Sequence, residues 1–195
     1  MSLSVNLAHS KNACQYVLDT VKLKGANWDQ YRGAPTSYER CMSLGGTTAT
    51  CTVYKDSVDI CLYDDVRPKV RRLSIGVSSM IDQIRIIADE SKSKKCGNCG
   101  EFSALAFIYL YDLGVKPLDW MSLVGGDHAF VVIGRENSDP NDYRNWGAHS
   151  VICDPWGRGF RYGDVRTGTY PAADFSTQMG GLVAFTGVRS LHRET

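Results

Sequence analysis

The sequence predicts an α+β protein, and three observations carry that reading. Residues 99–113 are apolar on nearly every face, with Phe102, Leu105, Phe107, Ile108 and Leu110 among them. A helix of that kind outside a membrane sits in the middle of a domain. Behind it come short runs rich in Val, Ile, Phe and Ala, at 118–124, 128–133, 148–154 and 181–188, divided by Gly, Asp and polar loops. Three or four antiparallel strands packed behind one buried helix make an α+β core. The third observation is size: 195 residues, 43% hydrophobic and 22% charged, fit one compact domain and exclude disordered, collagen-like and coiled-coil chains.

The elements follow in order along that domain, which spans 1–195 with a helical and loop-rich part at 1–90 and a core at 91–195. A first helix is expected to start near Ser10, which can cap it. Ala13, Cys14, Val17, Leu18 and Val21 then recur at helical spacing, and Lys22, Lys24 and Gly25 suit its end. Residues 26–46, with Gly33, Pro35, Gly45 and Gly46, read as loop. Thr, Val, Ile and Tyr at 47–53 and 58–63 suggest two short strands around a Lys55-Asp56 turn. A second helix runs over 77–90, with Val77, Met80, Ile81, Ile84, Ile87 and Ala88 on one face, and gives way to a polar, solvated loop at 91–95. The buried helix at 99–113 ends at Gly114, a natural residue just past a helix C-terminus. Then come the strands, the first two joined by Gly125-Gly126-Asp127.

Lys+Arg 22 against Asp+Glu 21 leaves a formal charge of +1, so no global field draws the chain to nucleic acid or anionic lipid. No apolar run approaches the roughly 18 residues that span a bilayer. The start, Met1-Ser2-Leu3-Ser4-Val5-Asn6-Leu7, lacks the basic and apolar regions of a signal peptide. The seven cysteines, at 14, 41, 51, 61, 96, 99 and 153, are odd in number and lie in apolar or strand-like contexts. Most of them read as buried small hydrophobes in a reducing compartment. The expected location is cytoplasmic, or a host cell reached by a signal-peptide-independent route, which leaves the same imprint.

Three residues stand at chemically suggestive places on these elements. Cys99 opens the buried helix, where unpaired N–H groups and the positive end of the macrodipole favour a thiolate. His128 opens one strand and Asp154 closes another. If those strands are antiparallel neighbours, 128 pairs near 154 and 133 near 149, which sets the imidazole beside the carboxylate that would orient it. A contact from His128 to Cys99 completes a nucleophile–base–orienter set.

The run Cys96-Gly97-Asn98-Cys99-Gly100-Glu101-Phe102, the segment Asp127-His128-Ala129-Phe130 and the segment Val151-Ile152-Cys153-Asp154-Pro155 resemble the transglutaminase-like superfamily of papain-fold enzymes, over roughly residues 95–157. The motif is most similar to the peptide N-glycanase branch, although that branch's paired-cysteine zinc module has no counterpart here. The resemblance implies a papain-like core with Cys99 as nucleophile, His128 as general base and acid, and Asp154 as orienter. It further implies a cofactor-free, cysteine-dependent acyl transfer on a carbonyl–nitrogen bond of a protein or peptide substrate. Deamidase, protease and transglutaminase outcomes share that triad; the preferred version is a protein-modifying deamidase or protease of the kind bacteria secrete as effectors.

Around the triad, Asn98 and Trp156 are the candidate substrate contacts, Asn98 with a turn role as its alternative. The N–H of Cys99 is the named oxyanion donor, and Asn27, Gln30 and Gln83 are available as side-chain donors. The lysines at 92, 94 and 95 fit a solvated loop or an acidic substrate. The competing readings treat Cys96 and Cys99 as a zinc half-site or a redox pair. A rival from another class is a non-catalytic protein-binding module whose cysteines are structural or hold zinc.

Overall fold

The computed structural model describes residues 1–25, 61–136, 139–157, 168–180 and 186–195. Helix α1 spans Leu3–Gln15 and starts well before Ser10, with Ser2 as its cap accepting from the Val5 N–H. Its buried stripe is Asn6, Ser10, Ala13 and Cys14, a helical spacing whose first two members are polar. Asn6 Nδ2 donates to the His149 carbonyl at 2.8 Å and Ser10 Oγ to the Ile152 carbonyl at 2.9 Å. Apolar periodicity could not reveal a face that is held by hydrogen bonds. The helix loosens into a π-helical turn, Tyr16–Val21, which stops at Lys22 in the left-handed region (φ 59°). Strand β1 (Lys24–Gly25) then runs parallel to β2 (Cys96–Gly97).

The expected loop at 26–46 and the expected strand at 47–53 lie outside the described residues. So does the first half of the strand at 58–63. Its second half belongs to a π-helical turn, Cys61–Val66, that leads into α2 (Arg67–Leu73) through Pro68 in the first turn. Leu62 and Val66, four residues apart, pack with Cys96 in a small separate cluster, and that spacing is helical, not alternating.

Helix α3 covers Met80–Lys94, capped by Ser79, whose side chain accepts from the Asp82 N–H. Residues 91–95 are its last turn and not a solvated loop. Ser91 is fully buried and Ser91 Oγ donates to the Ile87 carbonyl at 2.7 Å, a bond only a helix allows. Helix α4 spans Cys99–Asp112 and ends at Gly114 (φ 71°), as expected.

Five antiparallel strands form the main sheet in the order β6-β5-β4-β3-β7: β3 (Leu118–Val124), β4 (Ala129–Ile133), β5 (Val151–Cys153), β6 (Thr169–Pro171) and β7 (Gly187–Glu194). This is the α+β architecture expected from the sequence. Helix α4 packs on β3 and β4, α1 packs on β5 and β6, and α3 packs against α4. Every residue of the central strand β4 is buried. Phe130 in that strand meets Phe175 of helix α5 (Phe175–Gly180) at a ring distance of 5.3 Å, with Trp146 beyond it. Of the expected strand at 181–188, residues 181–185 lie outside the described residues; β7 begins at Gly187 and continues through Arg189, His192 and Arg193. It is an edge strand, and edge strands carry charge that hides them from a search for apolar runs. Among the described residues, no helix is long and apolar enough to cross a membrane.

Candidate active site

The loop before α4 is built to fix the first residue of the helix. Asn98, extended at φ −122° and ψ −165°, is the cap, and it forms a capping box with Glu101. The Asn98 N–H donates to Glu101 Oε2 at 2.9 Å. Arg67 Nε donates to Glu101 Oε1 at 3.0 Å, so α2 braces the same carboxylate. Glycine is required at 97, because a Cβ there would fall 2.5 Å from Glu101 Cβ. Cys99 is thus the first helical residue, 9% exposed. Its thiol is directed at the Asp127 carbonyl, 3.8 Å away, in the residue immediately before His128.

His128 and Asp154 come together as the strand argument requires, although by a different register. The pairs are Val131↔Cys153 and Ile133↔Val151, two residues from the expected 128 with 154 and 133 with 149. A shift of two leaves every side chain on its face. His128 Nε2 and Asp154 Oδ2 are 2.7 Å apart, and neither side chain has any exposure to water. Asp154 Oδ1 accepts from the Gly157 N–H at 3.0 Å, so both carboxylate oxygens are held. Two glycines make room for that carboxylate and its backbone. A Cβ on Gly157 would meet Asp154 Oδ2 at 2.6 Å. One on Gly168, already at φ 62°, would meet the Asp154 carbonyl oxygen at 2.3 Å.

Burial of the ring pulls the His128 pKa down. The charge and hydrogen bond of Asp154, then the neighbouring Cys99 thiol, outweigh it and lift the value from 6.5 to about 10. With Nε2 committed to Asp154, only Nδ1 is left to serve the sulfur. Nδ1 is buried, and none of the described residues completes a hydrogen bond to it. That shift favours the imidazolium form of a ring oriented through one nitrogen by a buried carboxylate. Trp156 closes over it at 4.8 Å between ring centroids.

The remaining candidates sort by geometry. Trp156 is 2% exposed and shields the imidazole, so it walls the site and has no open face for substrate. Asn98 acts as the helix cap, and its Nδ2 also lies 3.5 Å from the Tyr63 hydroxyl. Gln83 on α3 turns its Nε2 to the Val77 carbonyl at 2.7 Å, before the helix start; Asn27 and Gln30 lie outside the described residues. Lys92 stands over the Tyr16 ring and Lys94 reaches Asp65, so neither faces the thiol.

Cys96 is not a free partner for Cys99. It forms a disulfide with Cys61, while Cys14, Cys99 and Cys153 are free. That bond takes Cys61 and Cys96 out of the set of buried small hydrophobes. It also removes Cys96 from any zinc or redox pair with Cys99. Among the described residues, no group of three or more His, Cys, Asp or Glu could hold a metal ion. Cys153 does fit the small-hydrophobe reading: it is buried 3.8 Å from Cys14, and its pKa is pushed well up by that thiol and by burial.

Sequence reasoning missed Gly157, Gly168, Arg67 and Cys61. Only Gly157 left a signal, as the glycine closing Asp154-Pro155-Trp156-Gly157, a turn-forming run directly after the carboxylate. Compared with known proteins, the chain matches no family model, no curated protein and no solved structure.

Proposed function

We propose that the chain is a papain-like cysteine enzyme of the transglutaminase-like kind, acting by acyl transfer on a carbonyl–nitrogen bond of a protein or peptide. The observation that carries this reading is the fully buried 2.7 Å contact between His128 and Asp154 beside a cysteine that opens a central helix. A buried imidazolium is costly unless a carboxylate pairs with it, and such a pair next to a cysteine at a helix start is the arrangement that tunes a thiol for reaction.

The chemistry follows from the two ring nitrogens. Cys99 Sγ attacks the amide carbon, a C–S bond forms, and the carbonyl electron pair moves to oxygen. That oxyanion faces the first amides of α4, with the Cys99 N–H as donor. Collapse restores C=O and breaks C–N, and the amine leaves with the proton from His128 Nδ1. Once Cys99 is a neutral thioester, its share in raising the His128 pKa is gone. The neutral imidazole can then take a proton from water as the water oxygen attacks the thioester. The second oxyanion expels the thiolate and the imidazolium is restored. Overall, an amide and water give an acid and an amine. An amine in place of water gives cross-linking by the same path.

The test is mass spectrometry of protein substrates incubated with the wild type and with Cys99→Ala. A deamidation shift, an amine adduct or a cleavage that depends on Cys99 is the expected result. Failure of iodoacetamide to label Cys99 in the native protein near neutral pH would sink the reading, because a structural thiol is inert there.

A further inference from the structure

A cavity of about 380 Å³ opens beside the first turn of α4. Gly100 and Glu101, the two residues after Cys99, form its near edge. Its wall is apolar, made by Val70, Ile87 and the indole of Trp120, which is held in place by a 2.8 Å hydrogen bond from Nε1 to Ser103 Oγ. Arg67 and Arg71 from α2 complete the lining. The near edge is open: a Cβ on Gly100 would meet nothing within 4 Å.

The charges around this cavity do not cancel. Among the described lining residues Glu101 is the one acid, and that carboxylate is already engaged by Arg67 Nε and the Asn98 N–H. Arg71 is exposed, its Nε donates only to the Arg67 carbonyl, and among the described residues it has no acidic partner. Arg67 holds the same carboxylate that caps the helix opening at Cys99, so the cationic end of the cavity lies beside the first turn that carries the nucleophile.

Resting on the acyl-transfer reading above, we propose that this cavity is the acyl-donor subsite, and that it selects extended peptide segments in which an apolar residue is flanked by an acidic one. The apolar side chain fills the space against Trp120, Val70 and Ile87, where burial of apolar area supplies the affinity. The neighbouring carboxylate pairs with the Arg71 guanidinium, which offers a planar fork matched to it. Such a pair at a wet rim chooses between partners more than it tightens binding.

The proposal can be tested with chloromethyl ketone peptides that alkylate Cys99, carrying one apolar residue next to Glu, Gln or Lys. Each rate is divided by the iodoacetamide rate of the same protein, which reads the thiolate alone. In the wild type the Glu probe should outpace the Lys probe by about 2- to 5-fold, the scale of one exposed ion pair. Arg71→Glu should abolish or reverse that preference. Gly100→Leu, whose Cβ meets nothing within 4 Å, should slow all three peptides relative to iodoacetamide. Equal rates for Glu and Lys probes, or a preference that survives Arg71→Glu, would overturn the subsite while normal iodoacetamide labelling leaves the nucleophile standing. Absence of labelling by iodoacetamide would instead overturn both together.

Discussion

At the scale of single residues, the site depends on how rigidly Asp154 is held. Its two oxygens serve His128 and the Gly157 N–H, and no water reaches either. Asp154→Asn keeps the shape and removes the charge that makes His128 an imidazolium. Turnover should fall by up to about 10⁴-fold with KM little changed, as for orienting carboxylates in related triads. Alkylation of Cys99 near pH 7 should slow in parallel, and a destabilised variant with normal alkylation would take Asp154 out of the reaction. Gly157→Ala probes the same carboxylate without touching its charge. The added Cβ must push Asp154 Oδ2 from 2.6 Å, so activity should drop by more than tenfold, since a misplacement of about 1 Å is worth that much. Wild-type turnover in Gly157→Ala would mean that the carboxylate can move freely.

At the scale of elements, what the sequence made legible was whatever apolar spacing or turn chemistry determines. Helix α4 could be read from its composition and from Gly114. Strand β3 matched its expected limits, and the His128–Asp154 pairing came from strand ends alone. Helix α1 began early because Asn6 and Ser10 bury a polar stripe through bonds to β5, a tertiary fact with no local trace. The π-helical turn at Cys61–Val66 was hidden because Val, Ile and Tyr suit strands in general, whereas Leu62 and Val66 here turn toward Cys96. The disulfide was hidden for the same reason, since pairing depends on space and not on spacing in the chain. That bond ties the turn carrying Tyr63 to the loop before the nucleophile, across 35 residues of sequence. Loop-closure entropy gives it about 3–4 kcal/mol. The double variant Cys61→Ser, Cys96→Ser should therefore melt roughly 10 °C lower. A melting point within about 2 °C of wild type would mean that packing of Leu62 and Val66 already fixes the turn.

For the whole molecule, the buried ion pair makes stability depend on pH in a direction that can be worked out. His128 titrates near 6.5 when unfolded and near 10 when folded, so between those values the native state binds the proton that the unfolded chain has released. The stabilisation is complete below about pH 6.5 and is lost as pH rises through about 10. Among the described residues, two other buried groups move the same way but later. The Cys153 thiol is raised from 9.0, and the Tyr170 hydroxyl, buried near Asp154 and Asp174, is raised from 10.0, so their contributions fade only above those values. Asp112, held down by Arg85, shifts from 3.8 and acts only in acid. The interval from pH 6.5 to 9 therefore reports on His128. There the slope can reach about 1.4 kcal/mol per pH unit for one proton, at most about 5 °C per unit in a chain of this size. Calorimetric melting of the wild type across that interval should show the decline. Asp154→Asn should flatten it, because the charge that holds the proton on the ring is gone. A flat wild-type profile, or the same slope in the variant, would show that the proton on His128 is not held by Asp154 and that the imidazolium at the centre of this site does not form.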